Sequence, residues 1–315
     1  MRKIDRPIFI VGSGRSGTTI LYHMLCGHSQ LSWFSNYNER WPGAPLVSAF
    51  SRLYRFPALR SWRGQGVPGP SEAYAVWDRA RPVIDSPCDP PLTEAHVTPA
   101  EKERVRAAVA AAQFYHNKTR FVNKNTRHTR RMRYLHRIFP DALFIHVLRD
   151  PRAAVASLLK VDWWPELRVW SENQVTPVEW VRQGLDPAVL AARLWIAEVE
   201  GVLAAKEILP AAQYHEVRYE AFVQNPESVL QEVVKFCGLP WEERCARFMH
   251  SFKLESRNFK FKEQLQPRQL EQIENLTAGL ARRLGYELRA EAEEASLLPD
   301  ANEPQPKNFR ILFCV

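Results

Sequence analysis

Two hydrophobic rhythms alternate along the chain. Short runs are almost wholly apolar, and longer stretches repeat apolar residues every three or four positions. Pro7-Ile-Phe-Ile-Val11 is the first short run; rich in β-branched residues and closed by glycine, it reads as a buried strand. Ile20, Leu21, Met24 and Leu25 then fall at helical spacing. Arg120-Phe-Val-Asn123 and Ala142 to Leu148 read as further strands, the latter apolar enough to be buried on both faces of a parallel sheet. Tyr214 to Tyr219 alternates as a strand does. Helical stretches separate these runs. Thr98-Pro-Ala-Glu101 is a capping box that predicts a helix to about Tyr115, and Thr176-Pro-Val-Glu179 is a second one. A basic helix should carry Met132, Leu135 and Ile138 on one face. Longer helices are predicted from Pro187 to about Leu209, from Pro226 to a left-handed cap at Gly238, and from about Pro267 to Gly285.

This order implies an α/β fold, with an open, mostly parallel sheet flanked by helices. Ligands of such sheets bind at the carboxyl ends of the strands. The expected organisation is a single domain over residues 1–290. Within it, 43–119 is a variable, mainly helical insertion on the substrate side, and 291–315 is a tail.

Composition narrows the class. A net charge of +8 and a pI of about 9.3 favour an anionic partner. No apolar run approaches the roughly 18 residues of a membrane span. The five cysteines are scattered without metal-ligand spacing, so no metal is expected. Cys26 and Cys237 fit buried free thiols and a reducing, cytoplasmic setting. The basic run from Arg127 to Arg137 comes with no nucleic-acid fold signature, so no nucleic-acid partner is expected.

Between the first strand and the first helix stands Gly12-Ser-Gly-Arg-Ser-Gly-Thr-Thr19. Backbone N–H groups of such a loop and the helix N-terminus behind it hold phosphate oxygens. Gly12 and Gly17 match the two glycines of the nucleotide-hydrolase loop, but Thr18 occupies its lysine position and the charge sits at Arg15. A rival reading takes Leu143 to Asp150 as a metal-binding strand end of a P-loop kinase or NTPase; the missing lysine argues against it.

RSGTT after a strand resembles the 5′-phosphosulfate loop of the sulfotransferases, which use 3′-phosphoadenosine 5′-phosphosulfate (PAPS) and release adenosine 3′,5′-bisphosphate (PAP). A second motif agrees. Arg149 at a strand end and Ser157 in the next helix resemble the family's 3′-phosphate site. The stretches 122–150, 217–240 and 285–287 are similar to the family too. The resemblance implies a P-loop sulfotransferase fold. It also implies that Arg15, Ser16, Gly17, Thr18 and Thr19 hold the phosphosulfate, while Arg149 and Ser157 grip the other end of the nucleotide. Tyr219 matches a family position near the cofactor, with a plain packed aromatic as the alternative. Lys260, in a basic stretch with Ser251 and Ser256, is expected to close over the nucleotide.

For catalysis the resemblance implies Arg15 and Lys124 as cations around the transferring group. The branch with a Lys-Thr-His strand end uses its histidine as base, but here Thr126 stands at that position. Tyrosylprotein and several carbohydrate-type relatives use a glutamate after the first helix. Glu39, in Ser35-Asn-Tyr-Asn-Glu-Arg-Trp41, is therefore the expected base, its pKa raised by neighbouring aromatics; His116 and His128 are weaker candidates. Trp163 and Trp164 are expected to line the acceptor cleft. The acceptor itself is left open among small-molecule, carbohydrate, lipid and peptide hydroxyls or amines, as is homodimerisation.

Overall fold

Among the described residues there are five strands: β1 (Ile8–Val11), β2 (Leu31–Ser32), β3 (Arg120–Lys124), β4 (Leu143–Leu148) and β5 (Tyr214–Arg218). They lie in the order β2-β3-β1-β4-β5, and every pairing is parallel. The computed structural model describes residues 4–55, 68–81, 91–250 and 258–288. Ser251, Ser256, Cys88, Cys314 and the tail 291–315 lie outside the described residues.

Strand periodicity explains why the runs are apolar throughout. Side chains alternate between the two faces of a sheet. Phe9 and Val11 enter one core with Phe121 and Phe144, whereas Ile8 and Ile10 enter another with Val122, Leu143, Ile145 and Val147. Both faces are covered, so apolar residues dominate the strands; Arg120, Asn123, Lys124 and His146 are buried polar exceptions.

The covering helices are, in chain order, α1 (Thr18–Leu25), α2 (Asn36–Arg40), α3 (Tyr74–Ala80), α4 (Pro99–His116), α5 (Met132–Ile138), α6 (Pro151–Leu158), α7 (Pro177–Arg182) and α8 (Pro187–Lys206). After β5 come α9 (Tyr219–Gln224), α10 (Pro226–Phe236), α11 (Glu243–His250), α12 (Phe261–Gln264) and α13 (Pro267–Arg283). α3, α4 and α5 pack on the Phe9 face; α1 and α10 pack on the Ile8 face.

Both capping boxes form: Thr98 accepts from the Glu101 amide and Thr176 from the Glu179 amide. Such caps contribute about 1 kcal/mol each. Two expectations needed correction, and one strand had not been expected. The basic helix begins later than its pattern suggests, because the Asn125 carboxamide accepts from the Arg127 amide at 2.9 Å and tightens Thr126–Arg130 into 3₁₀ turns. Tyr219 opens α9 instead of ending β5. β2, two residues long, is too short for a periodicity to reveal.

Among the described residues of 43–119 the regular elements are α3, α4 and the 3₁₀ segments Pro45–Arg55 and Glu94–His96. No helix among the described residues is long and apolar enough to cross a membrane.

The order places β1 between β3 and β4, with the chain running to opposite sides of it. That is a switch point, where strand ends diverge and leave a crevice. Ile10 registers with Lys124 and Val11 with His146, so Gly12, Lys124 and Arg149 emerge together at the carboxyl edge.

Candidate active site

The glycine loop turns from β1 into α1 under tight constraint. A Cβ on Gly12 would lie 2.4 Å from the Val147 carbonyl oxygen. Gly17, with φ of 91°, is the N-cap of α1, and among the described residues no side chain caps this helix. Its first turn is therefore suited to an anion.

Three side chains from distant segments pin the loop. The Gly12 amide donates to Thr129 Oγ1 at 3.1 Å, and that hydroxyl donates back to the Gly12 carbonyl at 2.9 Å. The Gly14 amide donates to Glu198 Oε2 at 2.9 Å. Arg149 Nη1 donates to the Arg15 carbonyl at 2.9 Å. Arg15 takes a φ of 68°, uncommon for a residue with a Cβ, and these bonds hold it there.

The two expected nucleotide clusters are joined directly. Arg15 Nε donates to Ser157 Oγ at 3.1 Å, while Arg149 reaches the Arg15 backbone. Arg149 also lies over the Tyr219 ring, 4.2 Å from its centroid, and donates from Nε to Asn258 Oδ1 at 3.3 Å. Burial pushes the Arg149 pKa down. Tyr219 itself is buried against Gly17, on which a Cβ would come within 2.4 Å of the ring.

Other expected residues divide. Thr18 is buried at the start of α1, and Thr19 is exposed beside it. Ser16 is buried, its hydroxyl 2.6 Å from that of Ser13 and its amide bonded to the Ser13 carbonyl, so it belongs to the turn's own scaffold. Lys260 is exposed on a 3₁₀ turn; Asn258, two residues earlier, is the member of that turn that meets Arg149.

Lys124 is buried at the end of β3 and pairs with Glu72 Oε1. Glu72 Oε2 accepts from the Tyr74 hydroxyl at 2.5 Å and the Thr126 amide at 3.4 Å. The Tyr74 and Thr126 hydroxyls are 2.7 Å apart. Burial alone would raise the Glu72 pKa; the Lys124 charge and these hydrogen bonds outweigh it and hold the carboxyl below its ordinary value.

Glu72, like Glu39, lies between Arg15 and Asp78, but no local sequence motif marks it. The Glu39 oxygens accept from the Ala75 amide at 3.3 and 3.4 Å, in the first turn of α3. Burial raises its pKa, opposed mainly by that amide. His116 and His128 are core residues, both held neutral by burial, and each meets a tryptophan edge-on. They have no role at the strand ends that the geometry supports.

Beside the loop opens a cleft of about 410 Å³, lined among others by Gly14, Glu72, Tyr74, Thr126, Arg127, Arg130, Trp163, Trp170 and Glu198. Trp163, 53% exposed, lines this cleft. Trp164 is instead buried in the core beneath, with Trp170 taking its expected place on the wall.

Asp150, the residue that a P-loop kinase would use for metal, is committed elsewhere. Its Oδ1 accepts from the Arg152 amide at 2.8 Å to cap α6, and its Oδ2 pairs with Arg152 at 2.7 Å.

The sheet order, glycine loop and strand-end arginine define a P-loop α/β protein. A sequence profile described as "Sulfotransferase family" matches residues 7–243, and the chain belongs to that family. It is 26% identical over 268 residues to omega-hydroxy-beta-dihydromenaquinone-9 sulfotransferase Stf3 of Mycobacterium tuberculosis, covering 75% of this chain and 63% of the relative. It is 28% identical over 247 residues to protein-tyrosine sulfotransferase 1 of Danio rerio, covering 76% of this chain and 55% of that protein. The chain thus spans less than two thirds of these relatives' length. Among solved structures, sulfotransferase STF9 of Mycobacterium avium superposes with a TM-score of 0.58 at 16% identity, covering 91% of this chain and 78% of the other.

Proposed function

We propose that this protein transfers the sulfuryl group of PAPS to a hydroxyl acceptor. The observation that carries the reading is the linked arrangement of Arg15, Arg149 and Ser157 around an uncapped helix start, with the Lys124–Glu72 pair across the adjoining cleft. The Gly17, Thr18 and Thr19 end of the loop suits the 5′-phosphosulfate, and Arg149 with Ser157 suits the 3′-phosphate. Tyr219 offers a cationic stack with Arg149, and Lys260 has the exposure needed to reach over a bound nucleotide.

The donor supplies a sulfur centre with PAP as its leaving group. Arg15 and Lys124 stabilise the negative charge that spreads over the sulfonate and leaving oxygen. The acceptor hydroxyl must lose its proton as its oxygen bonds to sulfur, and a carboxylate receives it. Glu72 is favoured for that task, because it lines the cleft beside the loop and is kept ionised by Lys124. Glu39 is the second reading, supported by its raised pKa.

The relatives named above act on a menaquinone derivative and on protein tyrosine, so they point to no single acceptor class. Trp163 offers an exposed aromatic face to whatever ring or chain carries the hydroxyl. Replacing Trp163 by Ala is expected to raise the acceptor KM about tenfold, as for the loss of one stacking contact, with kcat little changed. An unchanged KM removes Trp163 from the acceptor site.

Thermal shift tests the donor class. PAP should raise Tm without added metal, by the amount that mass action gives for a ligand of the native state alone. Stabilisation by ATP–Mg²⁺ and not by PAP would support the kinase alternative.

A further inference from the structure

Glu198 sits where a sequence pattern forbids it. Ala191, Leu194, Trp195, Val199 and Val202 form the buried stripe of α8, and Glu198 falls within that stripe at helical spacing. A carboxylate in such a stripe needs a partner, and it has one: the Gly14 amide of the glycine loop, at 2.9 Å. Glu198 also lines both the acceptor-side cleft and a small recess beneath the loop bounded by Ser13, Val155 and Leu158.

An ionised carboxylate against this loop opposes the polyanionic donor that the loop is shaped to receive. We propose that Glu198 couples nucleotide binding to proton uptake: the donor binds the loop with Glu198 protonated, its carbonyl oxygen still accepting the Gly14 amide. This rests on the PAPS reading above. The residue is thus a positioning residue for the loop and a proton-linked regulator of donor affinity.

The surrounding charges fit a poised group. Burial raises the Glu198 pKa to about 7, against the Gly14 amide, Arg130 and Lys124, which lower it. Arg127 and Arg168 line the same cleft with Glu72, whose own pKa is held low. The faces supplied by α6 are Ala154, Val155 and Leu158, which do not titrate. The sign follows from linkage. Bound negative charge raises the Glu198 pKa further, so protons enter with the ligand and affinity falls as pH rises above about 7.

The test is calorimetry of PAP binding between pH 6.5 and 8.5, in buffers of different ionisation enthalpy, on the wild-type protein and on Glu198→Gln and Glu198→Ala. The wild type should take up on the order of half a proton or more per nucleotide near pH 7.5 and lose up to roughly tenfold in affinity per pH unit above that. Glu198→Gln keeps an acceptor for the Gly14 amide, so it should bind PAP at pH 8.5 more tightly than wild type and without uptake. Glu198→Ala should bind more weakly than Glu198→Gln at every pH. Uptake that persists in Glu198→Gln overturns the inference, as does wild-type binding with no uptake. A wild type that binds no PAP at all overturns the donor reading, and the inference with it.

Discussion

Glu72→Gln should lower kcat by about 10²- to 10⁴-fold, the usual contribution of a positioned base. PAP should still stabilise the variant, because Arg15, Arg149 and the loop are untouched. The glutamine keeps the shape and can still accept from Tyr74 and Thr126, but it cannot take the acceptor proton. Glu39→Gln separates the two candidate bases: if Glu39 is the base, it shows the large loss and Glu72→Gln the small one. The pH profile gives a second criterion. Lys124 holds the Glu72 carboxyl low, so the acid limb of kcat/KM should fall below the ordinary glutamate value of about 4.3. Burial raises Glu39, so a limb above that value would point to it instead.

Gly17→Ala should abolish PAP binding. The methyl group would enter a φ of 91° and approach Tyr219 Cδ2 to 2.4 Å, closer than any real Cβ contact. Backbone strain of about 1–2 kcal/mol adds to the clash. The ring cannot yield freely, because Arg149 lies over it. Isothermal calorimetry of the purified variant checks this, with circular dichroism confirming the fold. The double variant Gly17→Ala/Tyr219→Ala should recover part of the binding by removing the ring; retention of wild-type affinity in Gly17→Ala alone would show that the loop does not need its present geometry.

The fold was legible because its signals are local. Two capping boxes, the β1 run and the glycine loop each lie within a few residues, and α/β alternation followed from their order. The candidate residues Arg15, Arg149 and Ser157 could be picked out for the same reason, since each sits in a motif attached to a strand end. What the sequence could not show was that Arg15 touches Ser157, a contact between the glycine loop and α6 brought together by the pairing of β1 with β4. Glu72 was hidden by a similar distance: its partner Lys124 is on another strand end, and the segment around it carries little periodicity. Glu198 had left a trace, an acid inside an apolar stripe, but nothing local said which backbone group it meets.

The pinning of the glycine loop divides its amides into two populations. Those of Gly12, Gly14 and Ser16 are already engaged by the protein's own oxygens, so capacity for a ligand is concentrated at the start of α1. A loop anchored on one side before its ligand arrives loses little further freedom on docking. On the proposed donor reading, selectivity would come from a rigid template shaped when the chain folded, and nucleotides of the wrong outline would meet a surface unable to mould itself around them.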